Sequence, residues 1–285
     1  MRQAGAESAP GARAAETKRW HDHFMSSYKL IAALGSSFAA GPGINPVAES
    51  AAMRSERNYA HQLAERLDAR LVDLTVSGAT TANIIDTPQQ TVEGVVYPPQ
   101  VNDLPAEADV VTITAGGNDL QFAGAMLYAA WLRCEPESPM VSLLEPMFPN
   151  GIPFPTEQAV EHASTGLIRV VQEVHGKAPA ARVLLVDYLT VLNDASGSAT
   201  PFSDKEIGQL LIIQRAIGQV FRNAATRTGA ELILASSLST GHALGSPEPW
   251  VQPFHRVMAE TGGSFHPNET GMAAIAAELE RVLSS

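Results

Sequence analysis

Two residues near opposite ends of the chain have the types and surroundings of a nucleophile and its base. Ser37 follows the apolar run LIAAL, and His266 stands just before the last helical pattern of the chain. A buried strand ending in a small-residue turn exposes a hydroxyl at a sheet edge, where a histidine on a returning loop can meet it. Asn118, in the segment GGND after another strand-like run, adds an amide donor for a developing oxyanion.

Apolar runs of strand length alternate with helical patterns, which predicts a parallel sheet covered on both faces. The predicted strands are Leu30–Leu34, Leu71–Val76, Val110–Thr114, Arg182–Val186 and Glu231–Ala235. The predicted helices are Glu56–Leu67, one opening at Thr80–Ile85, Gln158–Val174, Asp204–Arg227 behind an N-cap at Ser203, and Glu269–Leu283. We therefore expect a three-layer α/β/α sandwich with a central, mostly parallel five-stranded sheet of flavodoxin-like type. Ser37, Gly78 and Asn118 all follow strand ends, where such sheets place their working residues.

Two proline-rich segments interrupt the alternation. Residues 86–105 hold four prolines, and residues 121–155 hold six prolines with several methionines and a tryptophan. The second segment predicts a loop insertion at 120–156. It is expected to form either a lid or acyl-binding wall, or a satellite hydrophobic cluster under a long loop.

Composition limits the class of protein. A chain of 285 residues with 45% hydrophobic content suits a single α/β domain, predicted over 27–285 behind a flexible N-terminal arm at 1–26. The net charge of −11 disfavours nucleic acid and anionic membranes as partners. Cys134 is the only cysteine, so no intrachain disulfide is possible. The arm lacks the apolar stretch of a secretory signal and no segment reads as a membrane span, which favours a cytoplasmic location without stable membrane insertion.

Missing motifs narrow the chemistry. The chain has no Gly-x-Ser-x-Gly elbow, which disfavours an α/β-hydrolase fold. It has neither a Gly-x-Gly-x-x-Gly turn after the first strand nor a Gly-Lys-Ser/Thr loop, which disfavours nucleotide binding. It also lacks His-Glu-x-x-His and cysteine-based metal patterns. We therefore expect neither a metal nor an organic cofactor.

Four blocks in order resemble the SGNH, or GDSL-type, hydrolase family of esterases and lipases. They are GSSFAAG at 35–41, VSGAT at 76–80, GGND at 116–119 and FHPN at 265–268. The resemblance implies Ser37 as nucleophile, His266 as base, and an oxyanion hole formed by the amides of Ser37 and Gly78 with the Asn118 side chain. It also implies hydrolysis of carboxylic esters, with a small-molecule or lipid ester as substrate. One block alone is a weak signal, whereas four in family order at strand ends are a strong one.

The chain departs from the family pattern at two positions. Ser36 stands where the family usually has Asp before the nucleophile, and Gly263 stands where it usually has Asp three residues before the catalytic histidine. A histidine base needs its second nitrogen held in the correct tautomer. The resemblance to members with a Ser–His dyad implies that the Gly263 carbonyl does this for His266. Asp187, at the end of the fourth predicted strand, is the rival.

Alternative functions use the same residues. The pair Ser37 and His266 would equally serve a deacetylase, a thioesterase, a lysophospholipid hydrolase or an acyltransferase. A degenerate hydrolase that only binds lipid or a protein partner would explain the missing Asp. The intact Ser37, Gly78, Asn118 and His266 favour an enzyme, because drift would remove the catalytic pair as readily as the Asp.

Overall fold

The computed structural model describes residues 28–285, which contain a five-stranded, all-parallel sheet. Its strands are β1 (Leu30–Gly35), β2 (Arg70–Asp73), β3 (Val110–Thr114), β4 (Arg182–Val186) and β5 (Glu231–Ile233). Their order across the sheet is β2-β1-β3-β4-β5, the flavodoxin-like order. The predicted α/β fold is confirmed. The predicted arm at 1–26 lies outside the described residues.

The five predicted helices begin and end close to their predicted positions, and four further α-helices within residues 28–285 were not predicted. They are α1 (Ser37–Ala40), α2 (Tyr59–Leu67), α3 (Thr81–Ile85), α4 (Phe122–Cys134), α5 (Pro139–Leu144), α6 (Glu157–Lys177), α7 (Asp204–Thr228), α8 (Ala235–Leu238) and α9 (Glu269–Leu283). The predicted N-cap Ser203 accepts from Glu206 N–H in a capping box. Helix α2 starts later than the predicted Glu56, because the Asn58 side chain caps it by accepting from His61 N–H at 3.0 Å. Across residues 28–285, none of the helices is long and apolar enough to cross a membrane.

Strand β1 separates two apolar cores, because its side chains alternate between the sheet faces. Ala32 and Leu34 pack in the core that includes α4, α6 and α7. Ile31 and Ala33 pack in the core that includes α2 and α9. Because each face of the sheet is covered by its own helices, the structure has the three expected layers: helices, sheet and helices.

Two strands are shorter than predicted. The strand expected at 71–76 ends at Asp73, whose Oδ1 accepts from the N–H and hydroxyl of Thr75 at 3.0 and 2.6 Å in an Asx-type turn. The chain still follows β1 beyond this turn, since Val76 N–H donates to Gly35 O at 3.1 Å. The strand expected at 231–235 ends at Ile233, and the chain turns into α8. The turn after β2 therefore lies beside the end of β1.

The insertion predicted as a loop at 120–156 is largely helical. It contains α4, α5 and a 3₁₀ turn at Glu145–Met147. Phe122, Met126 and Trp131 are fully buried in the core of the sheet face that α4 covers. The expectation of a loop is wrong here because α4 ends before the first proline of the segment, at position 136, and the later prolines at 139 and 146 open helical turns.

Candidate active site

The end of β1 is shaped by a glycine that no other residue could replace. Gly35 has φ +147°, and a Cβ on it would lie 2.3 Å from the carbonyl oxygen of Thr114 on β3. The buried side-chain amide of Gln100 accepts from Gly35 N–H and donates to Gly35 O, at 2.8 and 2.9 Å. The chain then turns directly into α1, whose first residue is Ser37. The Ser37 hydroxyl thus follows a turn in which Gln100 bonds both the N–H and the carbonyl of Gly35.

The structure brings Ser37 and His266 into direct contact. The Nε2 of His266 lies 2.8 Å from Ser37 Oγ. The two residues are only 5% and 4% exposed, so the contact is almost closed to water. The ring of Phe38 lies 5.2 Å from the imidazole, centre to centre, and adds an apolar wall. A neutral imidazole at this distance can accept the hydroxyl proton.

The second imidazole nitrogen is held by a backbone carbonyl, one residue away from the predicted one. His266 Nδ1 lies 2.9 Å from the oxygen of Ser264. The carbonyl of Gly263 accepts instead from the backbone N–H of His266, at 3.1 Å. Phe265 between them has φ +64°, a left-handed conformation that is costly for this residue and turns the chain back on itself. The assignment of the orienting carbonyl to Gly263 is therefore corrected to Ser264.

The rival orienter Asp187 is engaged elsewhere. Its carboxylate accepts from the N–H of Ser236 at 2.8 Å and from the Ser236 hydroxyl at 2.5 Å, at the start of α8. Burial raises its pKa to about 6, although both bonds from Ser236 oppose the rise. The described contacts of the His266 imidazole do not include this carboxylate. Asp187 is thus buried at the end of β4 and bonded to Ser236.

Burial dominates the electrostatics of the histidine. It lowers the pKa of His266 from the ordinary 6.5 to about 4, against the opposing effect of the Ser264 and Gly263 carbonyls. The imidazole is therefore neutral at pH 7, with its proton on Nδ1 towards Ser264 and its lone pair on Nε2 towards Ser37. This is the tautomer that a base requires.

The residues predicted as oxyanion donors lie in turns at the same edge of the sheet as Ser37. Gly78, at φ +86°, lies in the turn after β2, and Asn118 follows β3. Asn118 Nδ2 donates one hydrogen bond to Ala79 O at 2.9 Å, which links the two turns. Its second N–H remains available to a ligand. Within residues 28–285, the N–H groups of Ser37 and Gly78 donate to no partner. Three donors are thus available at one edge of the sheet.

Tyr188 is a buried residue of the site that sequence reasoning missed. Its hydroxyl lies 3.0 Å from Ser36 Oγ and accepts from Gly117 N–H at 3.2 Å, while its ring stacks on Phe38 at 4.2 Å. A Cβ on Gly117 would lie 2.6 Å from this ring, so a glycine is needed there. Ser36, at the position where the family usually has Asp, thus bonds a tyrosine. The available signal was an aromatic residue directly after a strand at the same sheet edge.

A groove of about 770 Å³ begins at Gly41, where the helix that starts with Ser37 ends, although neither Ser37 nor His266 lines it. It is lined by Gly41, whose N–H donates to Ser37 O at 3.0 Å, and by loops from both sides of the sheet edge. Its apolar lining comprises Ile44, Val47, Ala51, Met53, Val92, Leu127, Met140, Leu143, Met258 and Ala259. The insertion at 120–156 thus provides one groove wall through α4 and α5, while its buried Met126 and Trp131 belong to the core.

The four sequence blocks at 35–268 all lie within the part of the chain that matches one known family. Residues 33–274 match the GDSL-like lipase/acylhydrolase family. Lipase 2 of Streptomyces coelicolor is 31% identical over 263 residues, which cover 88% of this chain and 84% of that protein. The chain therefore belongs to the GDSL-like lipase/acylhydrolase family, whose activity is ester hydrolysis. The predicted resemblance is confirmed.

Two solved structures share the fold. The extracellular lipase of Streptomyces rimosus superposes with a TM-score of 0.64 at 21% identity, covering 89% of this chain and 99% of that one. Phospholipase A1 of Streptomyces albidoflavus NA297 gives a TM-score of 0.67 at 19% identity, covering 90% and 99%. At these identities the likeness establishes the architecture alone.

Proposed function

We propose that the protein hydrolyses carboxylic esters through an acyl-enzyme on Ser37. The Ser37 oxygen attacks the acyl carbon while His266 Nε2 takes its proton. The tetrahedral oxyanion accepts from the N–H groups of Ser37 and Gly78 and from the Asn118 amide. The alcohol leaves with the proton from His266, and the acyl group stays on Ser37. Water then attacks the acyl carbon with His266 again as base, which releases the acid and restores Ser37. The observation that carries this proposal is the buried 2.8 Å contact between Ser37 Oγ and His266 Nε2.

The base works without a carboxylate. Ser264 O accepts a hydrogen bond from Nδ1–H and fixes the ring, but a neutral carbonyl stabilises the imidazolium less than a carboxylate would. The oxyanion donors consequently have to supply a larger share of the transition-state stabilisation. One such donor is typically worth about 3–4 kcal/mol.

The apolar groove favours an aliphatic acyl chain over an acetyl group or a sugar. Aliphatic residues and three methionines make up the apolar part of its wall, and methionine adapts to flexible chains; Arg54, Glu93 and Glu260 are among the charged residues of the same wall. Its volume of about 770 Å³ is within the usual range for sites that enclose a drug-sized ligand. The preferred substrates would therefore be esters of medium or long fatty acids.

A series of p-nitrophenyl esters from acetate to palmitate tests the proposal. We expect kcat/KM to rise from acetate towards the longer chains. Ser37→Ala should abolish turnover of every ester in a protein that is still folded by circular dichroism. Ser237→Ala, at an exposed position of α8, is the matched control and should behave as wild type. Turnover by Ser37→Ala within a few-fold of wild type would refute the assignment of the nucleophile.

A further inference from the structure

The oxyanion donor Gly78 N–H belongs to the same peptide group as the carbonyl of Ser77. A trans peptide is planar, and its C=O and N–H point in opposite directions. A group that holds the Ser77 oxygen on one side therefore sets the direction of the Gly78 N–H on the other. Gly78 is exposed and has φ +86°, so its own backbone restrains this peptide only weakly.

The side chain of Gln89 holds this carbonyl. Its Nε2 donates to Ser77 O at 2.8 Å. The same nitrogen packs against Gly78, since a Cβ there would lie 3.3 Å from it and within 4 Å of no other atom. Gln89 is positioned by a short hairpin in which Gln89–Gln90 pairs with Val96–Tyr97.

The hydrogen bonds around Gln89 do not explain why a glutamine at this position would stabilise the fold. Gln89 Oε1 is buried and has no partner among the described residues, and the hydroxyls of Ser77 and Thr91 are buried and unpaired as well. A buried polar atom without a partner usually costs about 1–3 kcal/mol. Within residues 28–285, the one bond that the Gln89 amide makes goes to the Ser77–Gly78 peptide.

We infer that Gln89 is a positioning residue, which aims and polarises the Ser77–Gly78 peptide so that its N–H meets the oxyanion. A hydrogen bond to the carbonyl strengthens the N–H of the same amide as a donor, because bonds in a chain polarise one another. The inference rests on the proposed function. Gln89 acts through Gly78 and touches no reacting atom.

Gln89→Met tests the inference, because methionine keeps the length of the side chain and removes the donor. The matched control is Gln90→Met on the opposite, exposed side of the same strand. We expect Gln89→Met to lower kcat by about 10- to 100-fold with KM within twofold, as for a misaimed catalytic donor. Its inhibition constant for an alkylboronic acid, which forms a tetrahedral anion on a serine, should rise by a similar factor. Gln90→Met should match wild type in all three measurements.

A purely structural Gln89 would behave differently. It would lower the melting temperature while leaving kcat and the boronic acid constant within twofold of Gln90→Met, and that result would overturn the inference. So would a loss confined to KM. If Gln89→Met does not fold, Gln89→Glu keeps the volume and, above its pKa, lacks the donor, so the same kcat loss is expected. Ser37→Ala separates the two claims: activity in that variant sinks the proposed function, whereas an inactive Ser37→Ala with a normal Gln89→Met sinks only the role of Gln89.

Discussion

Acidification should destabilise the protein through one buried imidazole. Burial lowers the pKa of His266 to about 4, whereas in the unfolded chain it titrates near the ordinary 6.5. Between these values the unfolded chain binds a proton that the native state refuses, so stability falls as the pH falls. The contribution is fully present above pH 6.5 and is lost by about pH 4. A shift of this size corresponds to about 3 kcal/mol.

The measurement has to isolate this residue, because Asp187 acts in the opposite direction. Its pKa is raised to about 6, so the native state takes up that proton first and gains stability as the pH falls. Urea unfolding of wild type and His266→Gln at several pH values from 7 to 4 removes the common contribution by difference. We expect the stability of wild type relative to the variant to decrease by about 3 kcal/mol over this range. His175→Gln, on the exposed side of α6, controls for the loss of a histidine from the unfolded chain.

The same titration should appear in kinetics. The acid limb of kcat/KM reports the free enzyme, so its midpoint should lie near pH 4 rather than 6.5. A midpoint near 6.5, together with a stability difference that does not change with pH, would refute the reasoning. The imidazole would then be hydrated in solution, and the nearly closed contact with Ser37 would be wrong.

Further predictions concern the donors and the missing acid. Asn118→Ala should lower kcat by about 10²–10³ with a smaller change in KM, measured by steady-state kinetics; a loss confined to KM would make Asn118 a substrate-binding group. Asp187→Asn should leave kcat within about tenfold, because its carboxylate bonds Ser236; a loss near 10⁴ in a protein still folded by circular dichroism would make it a triad member. Gly263→Asp should lower both the melting temperature and kcat, since a Cβ there would lie 2.6 Å from Gln252 Oε1 and 3.1 Å from Gly43 Cα; a gain in kcat would contradict this.

The parts of the fold that the sequence predicted correctly depend on local patterns. The apolar run before Ser37 specifies where β1 ends, and parallel strands bring their ends to one edge of the sheet. The orienting carbonyl is different, because its identity depends on the backbone at Phe265. Its φ of +64° is held by buried ring packing on Phe202 at 5.3 Å and on Phe254 at 5.8 Å. The residues next to His266 in the sequence do not predict these long-range contacts.

The insertion at 120–156 was misjudged for a related reason. Proline is a reliable sign against the middle of a helix but is favoured in its first turn. Pro139 opens α5 and Pro146 lies in the following 3₁₀ turn, so these prolines divide the segment without making it irregular. Tyr188 was missed because its partners Ser36 and Gly117 are distant in sequence and meet only across three strand ends.

The residues around the site restrain the proposed oxyanion donors, which offsets the absence of a carboxylate beside His266. Under the proposed mechanism, a base with a pKa of about 4 takes a proton only if the negative charge formed at the same time is well stabilised. A hydrogen bond restrains each donor of the proposed oxyanion hole. Gln100 bonds the turn that carries Ser37, Gln89 bonds the Ser77–Gly78 peptide, and Asn118 bonds the carbonyl of Ala79. Donors fixed in advance need no reorganisation as charge develops, which is where such sites gain most of their rate. Loosening a donor should therefore cost this enzyme more than removing any carboxylate near its histidine.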